Sequence, residues 1–157
     1  MTPAINLARQ HKIAHTVHAY EHDPKSASYG SEAAEKLGIS EARVFKTLVV
    51  SLDDKTLGVC VLPVACQLSM KLAASAFGAK KAVMAAKTDA ERSTGYVLGG
   101  VSPLGQKKKL PTLIDASACD FPTLFISAGR RGLEIELSPQ SLQQLCAGVF
   151  AEITQQA

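Results

Sequence analysis

Residues 44–62 read VFKTLVVSLDDKTLGVCVL and contain two strand-like segments separated by a short acidic turn. Apolar and β-branched residues dominate both segments, and the pair Asp53 and Asp54 between them is typical of a hairpin turn. The stretch therefore predicts antiparallel neighbouring strands over residues 44–52 and 56–62. This hairpin decides the fold class, because it adds an antiparallel pair to a chain whose other strands are separated by helices.

Helix and strand signals alternate on both sides of the hairpin. Helices are predicted from N-cap residues at Thr2, Ser31, Ser69, Thr88 and Ser138. Further strands are predicted over residues 16–20, 110–116, 123–127 and 133–137. In the last helix an apolar repeat follows Pro139 and continues to Ile153. The expected class is α/β (α+β), a mixed, barrel-like sheet with helices packed outside, in a single domain of residues 1–157.

The composition is that of a soluble globular domain, since 46% of the 157 residues are hydrophobic and 20% are charged. No apolar run is long enough to cross a membrane, and residues 1–12 lack the apolar core of a secretory signal. The four cysteines form no C-x-x-C pair, and all four histidines lie between His11 and His22. We therefore expect free thiols in the reducing cytoplasm, no metal site and no membrane association.

The basic residues are clustered, in a chain whose formal net charge is +3. Three short runs contain Lys80 and Lys81; Lys107, Lys108 and Lys109; and Arg130 and Arg131. Any single run is typical of a solvated loop. Three runs in one small domain favour a surface that faces nucleic-acid phosphates, and these seven residues are the candidates for binding them.

Lys46 is unusual for its position in the first strand of the hairpin. It shares a strand face with Val44, Leu48 and Val50, which is the more apolar face. A buried lysine is costly unless it is paired or lies in a cleft. The pattern favours a functional ammonium in a cleft. The alternative is a strand-end lysine whose stem packs while its head reaches water.

The segment 95–105, GYVLGGVSPLG, is the second unusual feature. Paired glycines at Gly99 and Gly100 allow the backbone to approach a ligand and to direct N–H groups at a developing oxyanion. Ser102, followed by Pro103, would hold the next turn and is a candidate substrate contact. The alternative is an ordinary loop.

Acidic residues on predicted strands offer weaker candidates. Glu134 and Glu136 share one strand face, which is usually the solvated one. Glu134 or Asp115 could act as a general base. The chain contains no G-x-S-x-G motif and no convincing Ser-His-Asp set, so a hydrolase of this sequence would lack a familiar protein nucleophile.

The sequence resembles the YbaK/EbsC family of aminoacyl-tRNA deacylases almost from end to end. The most specific stretch is residues 93–108, STGYVLGGVSPLGQKK. Supporting stretches are HAYEHDP at 18–24, EAAEKLG at 32–38, FKTLV at 45–49 and SAGRRGLEIEL at 127–137. The resemblance implies a barrel-like α/β editing fold and hydrolysis of Cys-tRNA(Pro), with Cys-tRNA(Cys) as a further candidate. It also implies prolyl-tRNA synthetase as a partner, and no metal or organic cofactor.

The same resemblance implies roles for individual residues. Lys46 matches the central functional residue of the family. The residues that match its pocket lining are Tyr20, Thr47, Gly99, Ser127 and Glu134. Tyr29 stands where the family usually has Phe, and Ala128 where it usually has Gly, so the finer shape of the pocket is expected to differ.

A mechanism and three rivals follow from these features. The thiol of a cysteinyl ester could attack its own carbonyl, which would account for a protein without its own nucleophile. One rival is a non-catalytic module that binds tRNA or a synthetase on the same fold. Another is an editor of Ala-tRNA or Ser-tRNA. A thiol redox protein is disfavoured by the cysteine spacing.

Overall fold

The structure is a computed structural model that describes residues 1–26 and 29–155. Its helices are α1 Pro3–Gln10, α2 Tyr29–Leu37, α3 Met70–Phe77, α4 Lys87–Thr94 and α5 Pro139–Cys146. Its strands are β1 Thr16–Ala19, β2 Phe45–Leu52, β3 Thr56–Pro63, β4 Gln67–Leu68, β5 Ala82–Met84, β6 Thr112–Asp115, β7 Leu124–Arg130, β8 Leu133–Leu137, β9 Val149–Ala151 and β10 Thr154–Gln155. No helix in these ranges is both long enough and apolar enough to cross a membrane.

The described strands form three sheets. The largest has the order β5-β2-β3-β6-β9, the second is β1-β8-β7, and β4 pairs with β10. Strands β2, β3 and β5 are antiparallel neighbours, whereas β3, β6 and β9 run parallel. A bridge from Val44 to Phe125 connects the two larger sheets. The predicted mixed α/β class is confirmed, and within the described part of the chain the strands do not close into one barrel.

The hairpin predicted from residues 44–62 is confirmed. Strands β2 and β3 pair in antiparallel register along their whole length. Asp53 and Asp54 in the turn both have left-handed backbone, with φ of 53° and 56°. Tight hairpin turns need such angles, and aspartate adopts them more readily than most residues. The local sequence therefore predicted this element correctly.

The predicted caps identify three helices correctly. The side chains of Thr2, Ser69 and Ser138 accept hydrogen bonds from amides in the first turns of α1, α3 and α5. The other two predicted starts were wrong, because α2 begins two residues before Ser31 and α4 begins one residue before Thr88. A cap contributes only about 1 kcal/mol, so packing of the first turn can shift a helix start by this amount.

The final helix is shorter than predicted. Helix α5 ends at Cys146 because Ala147 takes the left-handed conformation, with φ of 53°. The apolar repeat then continues as β9, where Val149 and Phe150 pair in parallel with β6. Short apolar runs fit both the helical and the strand period, so the need of β6 for a hydrogen-bonding neighbour decides between them.

The position of β2 prepares the functional site. Its alternating side chains contribute to two cores, since Phe45 packs in one buried cluster and Val50 in the other. Strand β5 pairs with residues 50–52 of β2. The preceding residues of β2, 45–48, border a cavity instead.

Candidate active site

A cavity of about 480 Å³ lies where the two larger sheets meet. Its walls come from the first half of β2, from β7 and β8, and from the glycine-rich segment 95–105. Much of the lining is apolar and consists of Val44, Phe45, Leu48, Val64, Met84, Leu98 and Val101. The structure also brings together five predicted site residues here, namely Lys46, Thr47, Gly99, Ser127 and Glu134.

Lys46 extends from β2 into this cavity. Its Nζ donates hydrogen bonds to the backbone carbonyl oxygens of Cys66, at 2.7 Å, and Val64, at 3.4 Å. Burial lowers the pKa of the Lys46 ammonium, and the nearby Cys66 thiol partly offsets this effect. An ammonium has three N–H donors, so one remains for a group inside the cavity. This geometry favours the cleft interpretation of Lys46 over a lysine whose head reaches bulk water.

Glu134 lies on the wall that the second sheet forms. It occupies the central strand β8, opposite His18 on β1 and Ser127 on β7. Its side chain is only 7% exposed, and burial raises its pKa to about 8. Among the described residues, no ion-pair partner lies within reach of this carboxyl. Glu134 and Glu136 share one strand face, as predicted, but Glu134 is buried there, so the expectation that this face is solvated was wrong.

Helix α2 explains why this face is not solvated. Ser127 and Phe125 of β7 lie on the same face as Glu134. Ala33 of α2 packs in one buried cluster with Phe125 and covers that face. The phenol of Tyr20 is also close, since burial and then the charge of Glu134 raise its pKa. Strand alternation identifies two faces, but a helix distant in sequence decides which of them water reaches.

Glu134→Gln is expected to change how folding stability depends on pH. In the folded chain the carboxyl keeps its proton up to about pH 8, whereas the unfolded chain releases it near 4.5. Between these values the folded state binds more protons, so the free energy of unfolding falls as pH rises. Measured by urea unfolding, the free energy of unfolding of the variant relative to that of the parent should rise by roughly a few kcal/mol between about pH 5 and about pH 8. A difference between the two proteins that does not change with pH would show that folded Glu134 is already ionised at the lower pH.

The glycine-rich segment offers fewer amide donors than predicted. Gly99 lines the cavity and has a φ of 96°, which glycine adopts without strain. The amide of Gly100 donates to the carbonyl oxygen of Val97 at 2.9 Å. The amide of Leu98 donates to the carboxylate of Glu91 at 3.0 Å. The Gly99 amide is therefore the candidate oxyanion donor of this segment.

Gly100 and Ser102 are buried and are not among the residues that line the cavity. A Cβ on Gly100 would lie 2.7 Å from the Cα of Arg130, so glycine here permits a close approach of two backbones. Ser102 is fully buried, and its hydroxyl accepts a hydrogen bond from the amide of Leu104. The hydroxyl of Tyr96 donates to the Leu104 carbonyl at 2.6 Å and holds the segment closed. The geometry does not support Gly100 as an oxyanion donor or Ser102 as a substrate contact.

The remaining predicted pocket residues differ in their surroundings. The hydroxyl of Thr47 is buried and has no hydrogen-bond partner within the described ranges. The hydroxyl of Ser127 accepts from the amide of Gly129 at 3.1 Å and keeps its own proton for another acceptor. Tyr20 lies beside Glu134 but is not part of the cavity lining. The side chain of Tyr29 falls outside the described residues, so its role stays a prediction.

The basic runs differ in exposure, since all of their residues are exposed except Arg131. Residues 80–81 are exposed beside the β2–β3 turn, and residues 107–109 are exposed beside the end of α4. Arg130 is exposed at the end of β7. Arg131 is half-buried and lies 3.8 Å from the carboxylate of Glu32. Arg131 thus takes part in local structure, and the geometry does not support it as a phosphate contact.

The cysteines are not placed for catalysis. All four are free, and none is among the cavity-lining residues that the structure describes. Burial raises the pKa of Cys60 to about 12 and that of Cys146 to about 11, so both are protonated thiols near neutral pH. Among the described residues, no three His, Cys, Asp or Glu side chains lie close enough together to hold a metal ion.

Sequence reasoning missed the carbonyl groups and apolar side chains of the site. The carbonyl groups of Val64 and Cys66 hold the Lys46 ammonium, but no sequence motif marks a backbone acceptor. Met84 and Leu98 line the cavity while remaining 49% and 45% exposed. Large apolar side chains that stay exposed often mark a binding surface, but exposure cannot be read from the sequence.

The comparison with known families connects this geometry to a class of proteins. Residues 23–145 match the model of the aminoacyl-tRNA editing domain. The chain belongs to the aminoacyl-tRNA editing domain family. The match to this editing domain includes every cavity-lining residue named above, from Val44 to Glu134.

Two relatives match this editing domain over most of its length. A protein of Enterococcus faecalis (strain ATCC 700802 / V583), named "Putative Cys-tRNA(Pro)/Cys-tRNA(Cys) deacylase EbsC", is 40% identical over 98% of this chain and 93% of its own length. An uncharacterised protein of Bacillus subtilis (strain 168), YwhH, is 30% identical over 76% of this chain and 75% of its own length. The relative named EbsC therefore corresponds to this chain nearly from end to end.

Solved structures share the fold of this editing domain. A "putative trans-editing enzyme for prolyl tRNA synthetase" matches with a TM-score of 0.83 and 19% identity, over 98% of this chain and 92% of that chain. The hypothetical protein APE2540 matches with a TM-score of 0.87 and 21% identity, over 98% of this chain and 99% of that chain. At these identities the likeness establishes the fold alone.

Proposed function

We propose that this editing domain is a trans-editing hydrolase that deacylates Cys-tRNA(Pro), with Cys-tRNA(Cys) as a further substrate. It would act in the cytoplasm alongside prolyl-tRNA synthetase, as one domain of residues 1–157. The observation that carries the proposal is the cavity, where Lys46, Gly99 and Glu134 border one space of about 480 Å³. The choice of cysteine is supported by the 40% identical relative, whose name specifies Cys-tRNA deacylation.

Glu134 suits the α-amino group of the substrate. This carboxyl is buried, and burial raises its pKa to about 8. An α-ammonium group bound beside it would favour the ionised carboxylate and would form a charge-assisted hydrogen bond. The buried, unpartnered hydroxyl of Thr47 lies beside Lys46 on β2 and can provide a further hydrogen bond at the ester end of the substrate. The amino acid would thereby be oriented with its ester toward β2.

Lys46 and Gly99 suit the ester end. The third N–H of the Lys46 ammonium can hold the ribose or a phosphate oxygen of the terminal adenosine, or polarise the ester carbonyl. The Gly99 amide can donate to the oxyanion that forms when the carbonyl is attacked. Both donors are fixed before substrate binds, because Lys46 is held by two carbonyl groups and Gly99 by the hydrogen-bonded turn around it.

The nucleophile in this proposal is the substrate thiol. The substrate thiol loses its proton to water, and the thiolate sulfur attacks its own carbonyl carbon. The bond from that carbon to the ribose oxygen breaks, and the ribose oxygen takes up a proton from water, so no net proton is gained or lost. The product is a four-membered thiolactone, which water then opens to give free cysteine. No cysteine or histidine lines the described part of the cavity, which supports a nucleophile that the substrate supplies.

Parallel incubation of the protein with Cys-, Ser-, Ala- and Pro-tRNA(Pro) tests the function. Cys-tRNA(Pro) is expected to react fastest, and faster than Ser-tRNA(Pro) by more than the roughly 100-fold that a pocket achieves between near-isosteres. Comparable rates on Cys-tRNA(Pro) and Ser-tRNA(Pro) would mean that water, not the substrate thiol, is the nucleophile. Glu134 would then be the base to test, because Asp115 binds the hydroxyl of Ser117 and the amide of Ile153 instead.

A variant without cysteine provides a second test. Changing Cys60, Cys66, Cys119 and Cys146 together to Ser is expected to leave kcat on Cys-tRNA(Pro) within about threefold of the parent, after correction for the folded fraction. Some loss of stability is expected, because Cys60 is fully buried in an apolar cluster. Cys66→Ser alone is the informative control, since its thiol is the one near Lys46. A large loss of turnover in this well-folded single variant would place the nucleophile on the protein.

A further inference from the structure

A second, smaller cavity of about 300 Å³ lies near the turn of the β2–β3 hairpin. Its lining is mainly polar and includes Lys55, Arg92 and Lys108 together with Asp54 and Asp89. All five of these residues are exposed. The ion pairs found in the described ranges involve other residues. Three cationic groups therefore border one concave surface without a carboxylate held against any of them.

The charge of the chain is concentrated around this cavity. We call the surrounding surface the basic end and define it by seven basic residues: Lys55, Lys80, Lys81, Arg92, Lys107, Lys108 and Lys109. It also contains Asp53, Asp54 and Asp89. Because the chain has 17 basic and 14 acidic residues, ten basic and eleven acidic residues remain for the rest of it. The whole positive excess of the chain thus arises from the basic end.

The contacts of the hairpin turn bring the first basic run to this place. The carboxylate of Asp53 accepts hydrogen bonds from the amides of Lys80, at 3.1 Å, and Lys81, at 2.8 Å. The amide of Lys108 donates to the carbonyl oxygen of Ser93, near the end of α4. The lysine runs at 80–81 and 107–109 are therefore parts of one surface, although 25 residues of sequence separate them.

Two strands connect the basic end to the first cavity. Thr47 lines the first cavity and Ser51 the second, on the same face of β2 and about 13 Å apart along the strand. Beside them, β5 leads from the exposed Lys81 to Met84, which lines the first cavity. The side chains of Val83 and Met84 are 38% and 49% exposed and provide apolar surface along this path. A few nucleotides can span such a distance.

We propose that the second cavity binds a backbone phosphate of the tRNA, a few nucleotides before the aminoacylated end. The inference rests on the proposed function, because it requires the terminal aminoacyl-adenosine to occupy the first cavity. Three cations and two carboxylates give the cavity lining a net charge of +1, which suits one phosphodiester rather than a di- or triphosphate. Arg92 contributes a planar guanidinium that can bind two phosphate oxygens at once.

The double variant Lys55→Glu, Arg92→Glu tests this subsite. Its matched control is Lys12→Glu, Lys36→Glu, which changes the charge equally at exposed positions. Lys12 lies in a turn, as Lys55 does, and Lys36 lies in the last turn of its helix, as Arg92 does. The measurements are the Kd for deacylated tRNA at several salt concentrations and kcat/KM on two substrates. One substrate is full-length Cys-tRNA(Pro), and the other is the cysteinyl ester of adenosine, which reaches the first cavity alone.

The double variant is expected to bind tRNA at least about tenfold more weakly and to lower the salt slope by about one to two. Its kcat/KM should fall on full-length tRNA and stay within about twofold on the adenosine ester. The proposal would be overturned if the tRNA affinity of the double variant were unchanged, or if the control lost as much affinity. It would also be overturned if kcat/KM fell equally on both substrates. A parent protein inactive on both substrates would overturn the proposed function, and the tRNA affinities would still decide the subsite.

Discussion

Lys46→Ala is expected to reduce deacylation of Cys-tRNA(Pro) by about 100-fold or more while the protein stays folded. The loss follows because the ammonium is the one cationic donor that lines the described part of the first cavity. Stability should change little, since burial of the ammonium already lowers its pKa and is therefore costly. The Val64 and Cys66 carbonyl groups that it leaves can bind water in the space that the ammonium occupied.

Two further variants make the Lys46 result interpretable. Lys46→Arg should also fail, because a planar fork does not fit the place where two carbonyl groups hold a compact ammonium. Lys71→Ala, at an exposed position on α3, is the matched control and should behave like the parent. Single-turnover rates measure deacylation, and thermal unfolding measures stability. Near-normal turnover in Lys46→Ala would remove this cavity as the active site.

Gly100→Val is expected to lose stability and activity together. Even a Cβ at this position would lie 2.7 Å from the Cα of Arg130, and backbone cannot move aside as a flexible side chain can. Overpacking of this kind costs about 1–3 kcal/mol or more. For a chain of this length, each kcal/mol corresponds to roughly 2–4 °C in Tm. Gly100→Ala should already show part of the effect, because its Cβ makes the same contact.

The control for Gly100 is Gly38→Ala. Gly38 has a φ of 68°, but a Cβ there would have no heavy atom within 4 Å. It therefore reports the cost of backbone strain without a steric clash, which is about 1–2 kcal/mol. Gly100 has no positive φ, so its substitution reports the clash without that strain. If Gly100→Val instead kept its Tm and lost turnover alone, the side chain would have to face the ester, and Gly100 would be restored as part of the oxyanion site.

Much of the local structure was predictable because short-range interactions specify it. The alternation of apolar residues and the Asp53-Asp54 turn predicted the hairpin, and side-chain caps at Thr2, Ser69 and Ser138 predicted three helices. Each of these signals acts within a few residues of sequence. A lysine on an apolar strand face was likewise visible as a conflict, because the alternation itself shows which face is apolar. That conflict indicated the first cavity.

Other features depended on partners that are distant in sequence. The burial of Glu134 required α2 to cover its strand face, and the strand β9 required the open edge of β6. The close contact between Gly100 and Arg130 likewise joins segments that no local pattern relates. For glycine, the sequence shows that a side chain is absent but not which neighbour occupies its space. Only the packing of the two sheets against the glycine-rich segment decided that.

The sequence by itself therefore determined the hairpin, three helix starts and the conflict at Lys46, because dihedral preferences, caps and alternation are local. The tertiary structure decided which groups share the first cavity and which basic runs form the basic end. It also decided that the Gly100 amide binds the Val97 carbonyl, which leaves the Gly99 amide as the candidate donor of this segment. These outcomes depend on burial and on hydrogen-bond partners, and both are set by residues brought together only when the two larger sheets meet.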